Sequence, residues 1–332
     1  MSSNGYPRST RIVGYGHYAP EGVLTNEDLS RIVDTSDEWI TSRTGIKERR
    51  ILADGEAASD LALKACQQAL QNAGVDAETI DAIVVGTISG DMVFPPTACL
   101  LQEALGARRA ASFDVAAACS GFVYSLGTAD SFIRVGSWDR ALVVGVEALT
   151  RFVDFEDRST CVLFGDGAGA VVVEHGREGE GILATSLHSN GSLADLLWVP
   201  AGGSRRPSSE ETVRAREHYI RMKGDGVFRY AVRAMADSSR RVLQLSGHVL
   251  DEVKLFIPHQ ANVRIIESIR DRLHMDPERV YINLDRYGNT SSATIPIALS
   301  EARGKGLFGP GDLVLISAFG GGFTWGSILF RA

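Results

Sequence analysis

The sequence predicts an α/β fold made of two similar halves, and two observations carry that reading. Short apolar runs of strand length, such as Ile80-Asp81-Ala82-Ile83-Val84-Val85-Gly86, alternate with longer segments whose apolar residues recur at helical spacing. Such alternation implies mainly parallel sheets between helical layers. The pattern then restarts near residue 184, at an offset of about 170 residues, as an internal duplication would produce.

In chain order, residues 12–15 read as a first strand. Residues 26–33 and 36–41 read as short helices opened by Asn26 and Ser36 caps. Residues 57–73 form a helix closed by Gly74, and the buried strand 80–86 follows. A helix over 97–105, a strand over 113–115 and a helix over 122–135 come next. Strands over 140–146 and 170–174 are expected to flank a glycine-rich hairpin. Ser246-Gly247 before Val253-Lys254-Leu255-Phe256-Ile257 echoes Ala73-Gly74 before residues 80–84. Val280-Tyr281-Ile282-Asn283 echoes the strand before Cys119, which sets Asn289 opposite that cysteine, and residues 311–316 echo 139–144. The expected halves are 1–177 and 178–332. No low-complexity linker separates them, so they should pack as one body with ligands near strand ends where they meet.

The 332 residues suffice for a sizeable core, and 44% hydrophobic with 23% charged residues is an ordinary globular composition. No apolar run reaches membrane-span length and the first ten residues are polar, so a cytoplasmic protein is expected. Cys66, Cys99, Cys119 and Cys161 show no paired or metal-type spacing, which fits free thiols in a reducing compartment. Cys66, Cys99 and Cys161 lie in apolar patterns and read as packing residues. A net charge of −7 argues against general nucleic-acid binding. Residues 201–241 nevertheless hold ten basic against five acidic side chains, either a solvated helix face or a dock for an acidic or phosphorylated partner.

Cys119, in Ala116-Ala117-Ala118-Cys119-Ser120-Gly121-Phe122, falls at a strand-to-helix turn. The helix N-terminus there favours thiolate over thiol, which is what a nucleophile needs, and the small neighbours leave room for an acyl chain. Pro258-His259-Gln260-Ala261-Asn262 follows the strand 255–257, and Asn289 opens a helix of small residues. Taken singly, the histidine is more often structural and the asparagine a helix cap. By the repeat, both reach the sheet end that carries Cys119, giving a nucleophile, a proton carrier and an amide donor in one pocket. Gly320-Gly321-Gly322 allows backbone N–H groups to face an oxyanion. Phe164-Gly165-Asp166-Gly167-Ala168-Gly169-Ala170 leads into a strand, so it reads as a tight turn and not as a dinucleotide site. No H-E-x-x-H, C-x-x-C or carboxylate cluster suggests a metal. A papain-like protease shares the Cys-His-Asn order, but the residues around Cys119 lack its signature and a duplicated α/β chain does not suit it.

Together the segments 114–122, 164–169, 258–262, 288–291 and 319–326 closely resemble β-ketoacyl-acyl-carrier-protein synthase III, over nearly the whole chain. The resemblance implies a thiolase-like five-layered αβαβα fold, a homodimer, and the first condensation of type II fatty acid synthesis. It implies that Cys119 takes an acyl group from a short acyl-CoA, with acetyl the expected primer. His259 and Asn289 then hold the enolate formed when malonyl-acyl carrier protein loses CO₂. The backbone N–H groups of Cys119 and Gly321 would hold the oxyanion. Trp39 and Arg158 would sandwich the CoA adenine, with Arg43, Thr44, Met222, Gly224, Phe228 and Asn262 along the tunnel. Leu149, Phe164 and a second subunit's Phe94 would line the acyl pocket, and Arg229, Arg264 and Arg272 would dock the carrier protein. Asp271 departs from the basic pair often beside Arg272 in the family. Ala318-Phe319-Gly320-Gly321 lacks the second cysteine of acyl-CoA-deprotonating thiolases, and Asn289 stands where elongating synthases have a second histidine. No cofactor beyond these substrates is implied, nor any nucleic-acid or membrane partner. The alternative is a same-fold enzyme of specialised metabolism acting on another acceptor.

Overall fold

The computed structural model describes residues 8–332, and the polar stretch 1–7 lies outside the described residues. β1 (Ser9–Tyr18) is followed by β2 (Gly22–Thr25), α1 (Asn26–Ser30), α2 (Asp37–Thr44) and β3 (Glu48–Ile51), with β2 and β3 paired antiparallel. Next come α3 (Ala58–Ala73), β4 (Ala82–Gly86), α4 (Thr97–Leu105), β5 (Ala111–Val115) and α5 (Gly121–Arg134). β6 (Arg140–Ala148), α6 (Arg158–Cys161) and β7 (Asp166–Gly176) complete a five-stranded sheet of order β1-β7-β6-β4-β5. Gly74 closes α3 in the left-handed conformation at φ 65°, as glycine alone does without strain.

The remainder begins with β8 (Gly181–Ser189), β9 (Leu197–Trp198), α7 (Glu210–Arg214) and β10 (Arg221–Met222). It continues through α8 (Gly224–Ser246), β11 (Val253–Pro258), α9 (Val263–Leu273), α10 (Leu284–Tyr287), α11 (Thr294–Gly304), β12 (Leu313–Gly320) and β13 (Thr324–Arg331). Its sheet runs β11-β12-β13-β8. In each sheet a parallel pair, β4·β6 or β11·β12, is followed by two antiparallel steps, to β7 and β1 or to β13 and β8.

Five layers result. α3 and α4 cover one face of the first sheet, where Leu61, Ala65 and Leu101 meet Ile83, Val85 and Val144. α5 and α11 fill the space between the sheets, with Phe122, Leu126, Ile295 and Leu299 fully buried against strands of both. α8 and α9 cover the outer face of the second sheet through Met235, Val242, Ile265 and Ile269. An aliphatic or aromatic side chain so buried contributes roughly 1.5–3 kcal/mol.

Four sequence expectations are corrected. Thr25 caps α1, while the buried Asn26 joins Asp37 and Ile46 through its amide N–H groups and accepts from Arg49 at 2.8 Å. Val280 forms only an isolated parallel bridge to Phe256 on the short segment between the turn Pro277–Arg279 and α10. Asp166-Gly167-Ala168-Gly169 lies inside β7 and is not a turn, and β6 and β7 are separated by α6 rather than by a tight hairpin. The glycines serve close packing there: a Cβ at Gly169 would lie 2.6 Å from the Ile297 nitrogen at the start of α11. Finally, Ala118 and Ser291 share a rare positive φ, 46° and 47°, in matching one-turn 3₁₀ segments before α5 and α11. That match sets Ser292, not Asn289, opposite Cys119.

Candidate active site

Cys119 sits in the 3₁₀ turn Ala118–Ser120, which β12 and the turn Ser291–Ala293 both contact. The Ser291 hydroxyl and the backbone N–H groups of Cys119 and Gly321 lie beside its sulfur. These favour the thiolate, as expected of a helix entrance. Burial opposes them and dominates, and the Glu147 charge adds to it, so the Cys119 thiol is pushed up to about 12. The sequence expectation of a resting thiolate is therefore overturned: desolvation outweighs the helix end.

His259 leaves the end of β11, its backbone N–H donating to the Ser317 carbonyl at 2.8 Å. Nδ1 lies 2.7 Å from the Thr294 hydroxyl, and the ring is 4% exposed. Burial lowers its pKa to about 3, so the imidazole is neutral across the physiological range. Asn289 follows α10, and its Oδ1 accepts the Ser291 backbone N–H at 2.8 Å. The amide NH₂ is the end left for a ligand.

Cys119, His259 and Asn289 line one cavity of about 450 Å³. Phe164, Leu197, Ala231, Met235 and Phe319 make its deeper wall largely apolar. Towards the surface it is lined by Trp39, Arg43, Thr44, Met222, Gly224, Phe228, Asn262 and Arg264. The guanidinium groups of Arg43 and Arg158 stand 4.8 and 4.9 Å from the Trp39 ring centroid. An aromatic ring with two cations beside it suits a flat, phosphorylated ligand.

Family models for 3-oxoacyl-[acyl-carrier-protein] synthase III match residues 113–191, and for its C-terminal part residues 243–332. The β-ketoacyl-[acyl-carrier-protein] synthase III of Symbiobacterium thermophilum is 52% identical over 98% of both chains. That of Xanthomonas campestris pv. campestris is 53% identical over 97% of this chain and 98% of its own. The chain belongs to the β-ketoacyl-acyl-carrier-protein synthase III family. The solved 3-oxoacyl-[acyl-carrier-protein] synthase III of Aquifex aeolicus superposes with a TM-score of 0.90 at 49% identity, over 97% of this chain and all of that one. The fold is accordingly thiolase-like.

Not every residue singled out from the sequence lines this synthase-family cavity. Leu149 is buried in the cluster behind Phe164 and does not reach the cavity. Phe94 is 82% exposed on the loop before α4, away from the pocket of its own chain. Arg158 touches the site only through Trp39. Arg229, Arg264 and Arg272 are all exposed, and the Asp271 carboxylate pairs with Arg270 at 2.6 Å. Among the described residues no group of His, Cys, Asp or Glu has metal-site geometry, and no helix is long and apolar enough to cross a membrane.

Sequence reasoning missed Ser291, Thr294 and Glu147. Glu147 is wholly buried on β6, where Ser89 donates to it along with Ile88 N–H at 3.2 Å, Thr87 at 3.3 Å and Ser291 at 3.0 Å. One carboxylate inside the otherwise apolar run 141–148 was the available signal.

Proposed function

We propose that the chain catalyses the decarboxylative condensation of a short acyl-CoA, acetyl-CoA foremost, with malonyl-acyl carrier protein. The product is a 3-oxoacyl-acyl carrier protein, and the reaction initiates type II fatty acid biosynthesis. The observation that carries this reading is the convergence of Cys119, His259 and Asn289 on one cavity lined also by Trp39, whose ring two arginines approach.

In the first half-reaction the Cys119 sulfur attacks the thioester carbonyl of acyl-CoA, and CoA departs as its C–S bond breaks. The N–H groups of Cys119 and Gly321 already face that sulfur and hold the oxyanion as it forms. In the second, the malonyl carboxylate leaves as CO₂ and its electron pair moves into the neighbouring thioester carbonyl. The Asn289 NH₂ and the His259 Nε2–H donate to that enolate oxygen. The Nε2–H tautomer requires the Thr294 hydroxyl, 2.7 Å from Nδ1, to donate there instead of to the Ser291 carbonyl at 2.9 Å, which also receives the Thr294 backbone N–H. The carbanion then attacks the acylated Cys119 and the sulfur leaves.

The carrier protein is acidic by family expectation, and exposed Arg229, Arg264 and Arg272 near the cavity's side of α8 and α9 suit it. Val93 and Phe94, 94% and 82% exposed, form an apolar loop tip that fits a homodimer in which Phe94 closes a second copy's acyl pocket. The two sheets agree with a duplication whose halves are 1–177 and 178–332. No cofactor, nucleic acid or membrane enters the reaction, and a cytoplasmic setting follows from its substrates. The test is CO₂ release from carboxyl-labelled malonyl-acyl carrier protein across a panel of acyl-CoA primers. Primer-dependent release with 3-oxoacyl product supports the reading, and acyl transfer without CO₂ overturns it.

A further inference from the structure

The chemistry above leaves a buried ionisable group close to the nucleophile without work. Glu147 is 0% exposed, and no ion pair to it occurs among the described residues. A carboxylate is costly to bury unless its environment compensates for lost water, so its retention at this point calls for a physical reason.

Its two oxygens differ. Oε2 accepts from Thr87, from the Ile88 backbone N–H and from Ser89. Thr87 and Ser89 each accept a backbone N–H as well, from Ser89 and Ala148, so their hydroxyl protons are committed to Oε2. Oε1 has the Ser291 hydroxyl at 3.0 Å. That hydroxyl is also the one beside the Cys119 sulfur, where the turns Ala118–Ser120 and Ser291–Ala293 meet. Ser291 holds this bridging place at φ 47°, a conformation that costs a non-glycine residue energy. The other facing groups do not titrate in the way needed. β4 (Ala82–Gly86) and the 87–89 loop bring only hydroxyls and an amide. On β7 the register partner is Gly167, and the adjacent Asp166 is bonded to Thr150 and Leu52. From the turn before α5, the titratable group is Cys119 itself.

We propose that Glu147 is the proton acceptor for Cys119, acting through Ser291. At rest the thiol S–H donates to the Ser291 oxygen and the Ser291 O–H donates to Oε1. As the sulfur attacks acyl-CoA, the thiol proton moves to Ser291 and the Ser291 proton moves to Oε1. The new S–C bond forms, the CoA C–S bond breaks, and the CoA thiolate takes a proton from solvent. Protonated Glu147 then places no negative charge beside the enolate, and it returns its proton by the same two bonds when Cys119 is released as thiolate. Over the cycle one solvent proton is consumed, as decarboxylative condensation requires. Glu147 touches no substrate; it is a positioning residue acting through Ser291. Burial raises its proton affinity, which suits an acceptor for a thiol that is itself hard to ionise.

This inference rests on Cys119 being the nucleophile, and its test separates the two. Acylation of Cys119 by acyl-CoA, located by peptide mass, and its alkylation by iodoacetamide are followed against pH, with ultraviolet thiolate absorbance recorded in parallel. Internal transfer makes the reactive form carry the same number of protons as the resting one. The native rate should therefore become independent of pH while the sulfur is still protonated by absorbance. In Glu147→Gln, whose amide can satisfy the same donors, and in Ser291→Ala, which keeps the carboxylate, that plateau should vanish. The rate should then rise about tenfold per pH unit until thiolate absorbance appears. A native rate that already rises in this way overturns the relay, as does a plateau kept in both variants or one lost only in His259→Ala. Absence of acyl group on Cys119 would instead overturn the nucleophile itself.

Discussion

The Asn289 side-chain oxygen accepts the Ser291 backbone N–H at 2.8 Å, and this one bond determines which end of the amide a ligand meets. An amide held by its oxygen can only donate into the cavity. Asn289→Asp replaces that donor with an acceptor beside the forming enolate, and Asn289→Ala removes it. Loss of one such donor costs about 10²–10³ in rate. Malonyl decarboxylation should fall by that factor in Asn289→Ala and further in Asn289→Asp, while Cys119 acylation by acyl-CoA is retained. Separate assays of the two half-reactions check this, and equal loss in both would show that Asn289 serves folding alone.

The buried His259 ties stability to pH. Its folded pKa of about 3 lies below the ordinary 6.5, so between those values the unfolded chain binds a proton that the folded one refuses. Unfolding free energy from this residue is complete above pH 6.5 and declines as pH falls towards 3. Denaturant titrations from neutral pH down to pH 4 should show a steeper loss in the native protein than in His259→Gln. The decarboxylation half-reaction should show no inflection near pH 6.5, since the donor is neutral throughout.

The stacked mouth residues give a binding phenotype. The Arg43 and Arg158 guanidinium groups both approach the Trp39 ring, and the proposed CoA binding there involves no group that reacts with the Cys119 sulfur. Interactions equal in ground and transition states move KM and leave kcat alone. Trp39→Ala should raise KM for acyl-CoA about tenfold, with kcat changed less than about twofold. Single-turnover acylation at saturating acyl-CoA supplies the control, and an equal fall in kcat would mean that Trp39 supports the fold instead.

Much of this arrangement is legible in the sequence. The strand-turn-helix around Cys119 and the strand end before His259 are local patterns, and local patterns survive translation from sequence. What escaped depends on contacts between distant segments. The glycines of Asp166-Gly167-Ala168-Gly169 resemble a turn, yet their cause is α11, whose Pro296 and Ile297 press on the strand. Glu147 stood out as one acid in an apolar run, but its partners come from the 87–89 loop and from Ser291. The thiol's elevated pKa is a matter of burial by several elements at once, which no spacing encodes.

Close packing at β7 makes its own prediction. A methyl at Gly169 would meet the Ile297 nitrogen at 2.6 Å and Pro296 at 2.7 Å, both belonging to the rigid first turn of α11. Backbone cannot swing aside as a long side chain does, so the sheet and the helix must separate. Gly169→Ala should destabilise by about 3 kcal/mol, the upper end for overpacking, and lower the denaturant midpoint. An unchanged midpoint would mean that α11 slides freely on β7.

The exposed arginines predict a salt-dependent partner. Arg270 takes the Asp271 carboxylate at 2.6 Å, so Asp271 does not neutralise Arg272 as its position beside it in the chain suggests. Arg264 also lines the cavity and donates to the Ser42 carbonyl at 3.0 Å, so its reversal mixes docking with CoA binding. Arg229 and Arg272 lie outside the cavity lining and give the cleaner reading. Arg272→Glu and Arg229→Glu should each raise KM for malonyl-acyl carrier protein several-fold at low ionic strength and leave KM for acyl-CoA unchanged. Screening over about 3 Å at 1 M salt should erase the difference, because exposed charges act on a partner only across a Debye length. A KM for carrier protein that ignores both reversals at low salt would move the docking face off α8 and α9.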